Sequence, residues 1–451
     1  MQFITNKKPS NKNCLEQIVL DYKKGKIKGG DTVSFKAFVF NVRIKNRFSF
    51  LLVRNHKRVF QCFFAPEECS FDLNTLLEES SVLVTGKITA DSPCKINPGF
   101  EVSVTDIKIL SAPPEQPYAI YKSLEQLNWG DDMIFNDRVL TMRNPYYRSI
   151  IAIASGVLKA FRDFLTSESF TEFIPPKIVK SGAEGGADMF EVDYFGKKTY
   201  LTQSPQQYKQ AMVGIFSRVF CTSSVFRAEK HSTSRHINEF EGLDIEMGFI
   251  DNVDDIMALQ TRLVSYIFDF LNKYYEYELK ELKVELPKIT KIPKISFSEV
   301  KELIKNEYNR PYRDQNDLEP EEEKLIGKYF NEKFNSPFVF ITHYPSVKRP
   351  FYALETNYDN TITESFDLLL NGAEVTTGGM RIHDYNSQIA KMERLGLNPE
   401  HFSDYLQMHK FGLPPHGGLG MGLERFVMKI LKLDNIKYAT AFPRDRDRVS
   451  P

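Results

Sequence analysis

The sequence has no apolar run approaching the ~18 residues that a membrane-crossing helix requires. Its first residues, MQFITNKKPS, lack the apolar core of a secretion signal. Five cysteines (Cys14, Cys62, Cys69, Cys94 and Cys221) show no C-x-x-C spacing, and they read as reduced thiols of a cytoplasmic protein. The phosphate-loop pattern G-x-x-x-x-G-K-[ST] is also missing. Net charge is zero, but it is unevenly spread. Over residues 1–58, fourteen Lys and Arg stand against three Asp and Glu. Such a segment suits a polyanion, most simply a nucleic acid; a solvated lysine-rich face has the same composition.

What is present divides the chain. With 451 residues, 42% of them hydrophobic, two or three domains are expected. Residues 30–110 carry five apolar or alternating runs: TVSFKAFVFNVR, RFSFLLVR, RVFQCFFA, SVLVTGKIT and FEVSVTDIKIL. Five short strands with a basic face predict a small Greek-key barrel of the oligonucleotide-binding type over residues 1–110. SAPPEQP opens a linker or hinge, residues 111–145, stiffened by three prolines. Residues 146–451 then read as one large α+β domain on an antiparallel sheet. Helices are predicted over 148–165, 254–275, DLEPEEEKLIGKYFNEKF and the segment after Gly422, and strands over 337–343 and 365–381.

Three stretches carry chemistry. In SSVFRAEKHSTSRHINEFEGLDIEMGF two strand-like runs flank a polar loop. Alternation groups Val225, Arg227 and Glu229, and on the return strand Phe240, Asp244 and Glu246. An arginine fork suits a phosphate and an aromatic face suits a base. The loop adds Arg235 and His236. In PPHGGLGMGLERF, glycines up to Gly422 precede a helix whose first turn holds Arg425, where anions are favoured. In ESFDLLLNGAEVTTGGMRIHDY, Asp367 and Glu374 lie seven apart with Thr377 and Arg381 beyond, a donor set that suits Mg²⁺ beside substrate phosphates. Each residue of the first stretch, taken singly, is more simply a solvated salt bridge, but the whole face, amid strongly apolar surroundings, is not. The glycine pattern alone is weak, and Asp367 and Glu374 read equally as two unrelated surface acids.

These residues carry a resemblance. SESFTEFIPPKIV, with Pro176, resembles motif 1 of class II aminoacyl-tRNA synthetases. FRAE…RH…EF…D-x-E resembles motif 2, and G-x-G-x-G-L-E-R resembles motif 3. Behind a barrel, the three in order resemble subclass IIb, the aspartyl, asparaginyl and lysyl enzymes. EGGADMF, QSPQQYKQ, GGMRIHD and FPRDRDRVSP are similar to segments of the aspartyl family in its archaeal/eukaryotic type.

The resemblance implies an enzyme that activates L-aspartate with ATP and transfers it to tRNA, working as a homodimer with Mg²⁺. It implies that Arg227 holds the α-phosphate and that Arg425 holds the γ-phosphate and stacks on adenine. Phe240 covers the other adenine face, Glu229 accepts from its amino group, and Arg235 and His236 close over pyrophosphate. Glu374, Thr377 and Asp367 take Mg²⁺; the family usually has serine where Thr377 stands. For aspartate, Arg381 and Lys209 meet the side-chain carboxylate, which would leave both uncompensated with asparagine. Glu184, Gln206 and Asp244 hold the ammonium, with Ser204 and Thr377 nearby. Phe50, Gln61 and Glu101 meet anticodon bases, although by alternation alone Phe50 is equally a barrel-core residue. Phe38 stands where the family carries tryptophan, so the resemblance leaves open whether tRNA(Asn) is charged as well as tRNA(Asp). Competing readings are an asparagine–tRNA ligase, which lacks the lysine at 209; a non-catalytic RNA-binding paralogue, expected to have lost Arg227, Arg425 or Glu374; and an asparagine synthetase on the same catalytic domain, which has no barrel.

Overall fold

A computed structural model describes residues 14–450, apart from 56, 57, 95, 98, 181–188, 232 and 312. The chain forms two compact units, Met1–Asn128 and Trp129–Pro451. The division falls inside the stretch read as a linker: helices Asp131–Asn136 and Arg138–Thr141 belong to the larger unit. No helix among the described residues is long and apolar enough to cross a membrane.

In the smaller unit, β1 (Thr32–Ile44), β2 (Ser49–Arg54), β3 (Val59–Phe64), β4 (Ser81–Ala90) and β5 (Phe100–Ser111) close into a barrel in the order β1-β2-β3-β5-β4. The five apolar runs become the five strands because alternate side chains point inward. Phe35, Leu51, Phe60, Val84, Phe100 and Val102 are fully buried. The helix Leu15–Lys23 packs Leu15, Ile18 and Val19 onto the same core.

The larger unit adds β6 (Thr171–Glu172), β7 (Ile178–Val179), β8 (Glu191–Tyr194), β9 (Lys197–Leu201), β10 (Arg218–Phe226), β11 (Glu239–Gly248), β12 (Lys294–Ser296), β13 (Phe338–Thr342), β14 (Ser365–Leu370), β15 (Glu374–Arg381) and β16 (His416–Gly422). Eight of these form one sheet, β12-β13-β14-β15-β16-β11-β10-β6, and β7-β9-β8 form a second. From β13 to β10 every pairing in the large sheet is antiparallel. Its back is apolar. Leu243, Ile245, Leu368 and Leu419 meet Ile153 and Phe161 of the helix Pro145–Ser167 and Leu263 and Ile267 of the helix Val253–Tyr274 in one core. Asn144 caps the first helix through Tyr146 N, with Pro145 at its first position. At Gly156 a Cβ would meet Leu271 Cδ2 at 2.7 Å, so the two long helices cross where one residue has no side chain. With the back of the sheet filled by apolar packing, its polar residues are left to the front.

A side layer is tied down by a buried ion pair. Lys301 bonds Glu322 at 2.8 Å and also donates to the carbonyls of Asp314 and Asp317, at 2.9 and 2.6 Å. Lys301 and Glu322 are 6% and 1% exposed. Removing one partner strands the other, whereas removing both does not. Lys301→Met is therefore expected to cost about 3–5 kcal/mol, and adding Glu322→Leu to recover much of it. Denaturant unfolding of the three proteins checks this, and an unchanged midpoint for the single variant would contradict it.

Candidate active site

The front of the large sheet forms the floor of a cleft of about 370 Å³. Its centre is the pairing of β11 with β16, which sets Asp244 opposite Gly420 and Glu246 opposite Gly418. The glycines of β16 make room for carboxylates: a Cβ at Gly418 would sit 2.2 Å from Glu246 Oε2 and 2.1 Å from Ile245 O. From the sequence these glycines read as a loop before a helix. Most of them instead form a central strand, and only Gly422 caps the helix Leu423–Ile430.

At the inner end the charges are paired. The helix Gln206–Phe216 packs on β10 and β11 and brings Lys209, 1% exposed, down to the sheet. Lys209 Nζ bonds Asp244 Oδ1 at 2.8 Å and Leu419 O at 2.9 Å, and lies 3.5 Å from Glu246 Oε2. Arg381 donates through Nε to Glu246 Oε1 at 2.9 Å and through Nη2 to Gly418 O at 3.1 Å, and it lies 5.4 Å from the Tyr352 ring. Burial alone pushes the Glu246 carboxyl up, but Arg381 and Lys209 outweigh it and hold it below the usual carboxylate value. The cluster is thus two cations and two anions. This corrects the expectation that Lys209 and Arg381 stand uncompensated when no carboxylate is bound, because Asp244 and Glu246 already neutralise them. Gln206 Nε2, in a residue 3% exposed, is buried at this end with no partner among the described residues. Behind it Gln210, 0% exposed, bonds His416 Nε2 at 3.0 Å. Burial first, and the neighbouring Arg381, keep His416 neutral, near pKa 4.

At the outer end β10 stops at Phe226, so Arg227 and Glu229 lie past the strand and not on its alternation. Both still line the cleft, and the Arg227 guanidinium lies 5.5 Å from the Phe240 ring. Arg235 and His236 close the same side, with His236 Nδ1 2.7 Å from Thr233 Oγ1. Opposite, Arg425 reaches Glu374, 3.4 Å to its carbonyl and 3.7 Å to Oε1. Thr377 Oγ1 donates to Glu374 Oε1 at 3.0 Å. Asp367 is turned away from the cleft: it is 5% exposed and pairs with Arg349 at 2.9 Å. Burial raises its carboxyl above the usual value, and Arg349 offsets this only in part. Glu374 and Thr377 thus offer the hard oxygens that Mg²⁺ prefers, with Asp367 one layer behind. No cluster of three or more His, Cys, Asp or Glu capable of holding a metal occurs among the described residues. A cation here would take few protein ligands and draw the rest from phosphates and water, which is the habit of Mg²⁺.

Ser204 lines the cleft, and Glu184 lies outside the described residues. His343 does not line the cleft; its Nδ1 is 2.8 Å from Thr342 Oγ1. Sequence reasoning passed over Lys348, Arg349, Tyr352 and Ser365, which do line it. Their one signal was the paired cations of SVKRPFY, with no periodicity to aim them. In the barrel, Gln61 Nε2 donates to Glu101 Oε1 at 2.8 Å. Phe50 is half-buried beside Phe48 and Phe63, 5.4 and 6.2 Å away, with Lys45 over its ring.

Residues 130–446 match the family described as tRNA synthetases class II (D, K and N). The chain belongs to the class II aminoacyl-tRNA synthetases. The N-terminal unit of this synthetase matches the OB-fold nucleic acid binding domain over residues 33–110. An aspartate–tRNA(Asp/Asn) ligase of Deinococcus radiodurans is 42% identical over 94% of this chain and 96% of its own length. One from Thermus thermophilus is 38% identical over 94% and 97%. Among solved structures, the asparaginyl-tRNA synthetase of Pyrococcus horikoshii with asparaginyl-adenylate superposes with a TM-score of 0.86. It is 28% identical and covers 94% of this chain and 97% of its own.

One wall residue of the synthetase titrates near neutrality. Glu424, 6% exposed, accepts from Glu241 N at 3.1 Å. Burial, then the nearby Glu241 and Glu239, raise its pKa from 4.5 to about 7. The folded protein therefore binds this proton more tightly than the unfolded chain does. The resulting stability is present below pH 4.5 and is lost as pH rises to about 7. Glu424→Gln keeps the acceptor and removes the titration. Its thermal midpoint should match the parent near pH 4.5 and exceed it at pH 7.5; an equal gap at both pH values would refute the assignment.

Proposed function

We propose that the cleft joins L-aspartate to the α-phosphate of ATP and then passes the aspartyl group to the 3′ end of tRNA. The chain is an aspartate–tRNA ligase, as the curated relatives above are by name. The observation that carries the amino-acid assignment is the pair of buried cations, Lys209 and Arg381, at the closed end of the cleft.

Arg381 spends Nε and Nη2 on Glu246 and Gly418, while Nη1 has no partner among the described residues. A side-chain carboxylate answers that donor and the Lys209 ammonium. An asparagine amide can turn only its oxygen to one of them and sets N–H against the other. Discrimination thus rests on a donor left unanswered within a neutral cluster. A buried donor left unsatisfied costs about 1–3 kcal/mol, and more when it is charged, which is roughly tenfold to a hundredfold or more in rate. Gln206 Nε2 is a donor, so it suits the substrate α-carboxylate better than the ammonium, which falls to Asp244. The Ser204 hydroxyl and Thr377 complete the wall, and Glu184 is assigned to the ammonium by resemblance alone.

In the first step an α-carboxylate oxygen attacks the α-phosphorus and pyrophosphate leaves. In the second, a hydroxyl of the terminal tRNA ribose attacks the carbonyl of the mixed anhydride and AMP leaves. The protein's part is placement and charge. Arg227 meets the α-phosphate where charge builds, and Phe240 and Arg425 sandwich the adenine. Glu229 accepts from its amino group. Arg235 and His236 close over the departing pyrophosphate. Glu374 and Thr377, with Asp367 behind them, would hold Mg²⁺, which when bound would neutralise charge on the phosphate oxygens. Phe50, Gln61 and Glu101 read anticodon bases; Phe50 offers a stacking ring, and the hydrogen-bonded Gln61 and Glu101 offer a polar pair.

We extend the proposal to both tRNA(Asp) and tRNA(Asn), the pair named for the two curated relatives. Phe38, 40% exposed on the barrel, carries the Arg54 guanidinium 4.5 Å from its ring, where the family usually has tryptophan. The enzyme acts in the cytoplasm as a homodimer through the motif 1 segment, whose Ile174 is 93% exposed, a large apolar side chain in need of cover.

Two assays check this reading. In pyrophosphate exchange, aspartate should drive the reaction and asparagine should not, and Arg381→Gln should lower aspartate-driven exchange roughly a hundredfold or more. In charging, purified tRNA(Asp) and tRNA(Asn) should both accept aspartate. Exchange driven only by asparagine sinks the amino-acid assignment, and an uncharged tRNA(Asn) confines the enzyme to one tRNA.

A further inference from the structure

The arm that carries Arg227, Glu229, Arg235 and His236 has little structure of its own: it leaves the sheet at Phe226 and returns at Glu239. What holds it is the far end of the chain. Asn238 N–H donates to Arg444 O at 2.7 Å, and Arg227 N–H donates to Asn238 O at 2.9 Å. Ile436 N–H donates to Ser234 O at 2.9 Å, and Arg446 Nη1 to Lys230 O at 3.3 Å. Ile436 itself lines the cleft beside Arg235 and His236. The C-terminal segment is folded onto itself by the Lys437–Asp445 ion pair at 2.5 Å.

This segment is in turn anchored from the start of the larger unit. Arg138, 1% exposed, donates through Nε to Ala441 O at 2.9 Å and through Nη2 to Thr440 O at 2.7 Å and Tyr438 O at 3.3 Å. Its guanidinium lies 5.6 Å from the Phe135 ring and 5.9 Å from the Tyr147 ring. Tyr438 Oη donates to Asp131 at 2.6 Å, and Arg448 Nη1 to Asn136 at 2.8 Å. A planar fork gathering three successive-turn carbonyls fixes their relative positions as a lysine ammonium would not.

We propose that Arg138 is a positioning residue for ATP, fixing residues 436–448 as a brace that sets Arg227 and its arm over the nucleotide. A path runs from the Arg138 guanidinium by hydrogen bonds to the carbonyls of Tyr438, Thr440 and Ala441, along the chain to Arg444, and by hydrogen bonds from Asn238 N to Arg444 O and from Arg227 N to Asn238 O. Arg138 touches no substrate; it acts on the reaction through the placement of the arm. The inference rests on the assignment of that arm to ATP, and it goes beyond it by locating what controls the arm. Because Lys209, Gln206 and Arg381 sit on other elements, loss of the brace should weaken ATP and pyrophosphate use and spare aspartate.

Pyrophosphate exchange by the full chain tests this, with ATP, pyrophosphate and aspartate varied in turn. The parent is compared with Arg138→Gln and with the double variant Arg446→Ala/Arg448→Gln. KM for ATP and for pyrophosphate should rise roughly fivefold or more in both variants, while KM for aspartate stays within about twofold. A merely structural weakening moves all three constants together or lowers the active fraction with none of them changed. Either pattern in folded protein overturns the brace. If Arg138→Gln does not fold, the double variant decides, since Arg446 is exposed and Arg448 half-buried. Arg227→Ala reports separately on the assignment beneath: unimpaired use of ATP there removes the arm from the nucleotide site, whatever the Arg138 variant does.

Discussion

The ion cluster of Lys209, Asp244, Glu246 and Arg381 is the constraint on which the rest of the larger unit depends. Four charges under 10% exposed are tolerable only when each is answered at hydrogen-bond distance. That requirement fixes the register of β11 against β16, since Glu246 reaches Arg381 only across a residue without a side chain. Gly418 supplies that gap, and its carbonyl takes an Arg381 hydrogen. It fixes the seat of the helix Gln206–Phe216, because Lys209 must arrive within 3 Å of Asp244. The cleft is then what remains above a cluster that cannot move.

The two ends of the cleft differ in kind. At the inner end the cations outweigh burial, and Glu246 is held ionised. Toward the outer end burial prevails: Glu424 and Glu323 are each raised to about 7, the second by burial and then by Glu374 and Asp367. An inner end built from paired charges recognises a small zwitterion by geometry. The outer end presents the guanidinium groups of Arg227, Arg235 and Arg425, which suit a polyphosphate. The two halves of the proposed reaction thus meet cations in two forms within one pocket, paired by carboxylates at the inner end and offered by the arm and Arg425 at the outer end.

Much of this was legible in the sequence, for identifiable reasons. The barrel followed from period-2 alternation, because each strand buries one face. Asp244 and Phe240 followed from alternation along a real strand, β11. Arg227 and Glu229 reach the cleft even though alternation does not extend to them, so there the right wall was named for the wrong local cause. Asp367 and Glu374 are correctly close, but hairpin pairing turns Asp367 toward Arg349, a partner eighteen residues upstream that periodicity cannot supply. Gln210 is buried against His416, a partner more than two hundred residues away that periodicity cannot supply either. Failures of this kind share a cause: they concern which distant side chain answers a polar group, and such pairings exist only once the sheet has formed.

That dependence bears on how the site is built. Its residues come from four stretches, near 203–210, 225–246, 348–381 and 416–436, and no stretch makes a complete contact set alone. The amino-acid end is set by strand register, which a one-residue slip would destroy outright by turning every side chain to the other face. The nucleotide arm is not set by register, because it leaves the sheet, and it relies on backbone hydrogen bonds from the C-terminal segment. The first arrangement is rigid at the cost of depending on the whole sheet. The second can shift without unfolding anything, which suits a part of the site that must admit ATP, release pyrophosphate and then make way for the end of a tRNA.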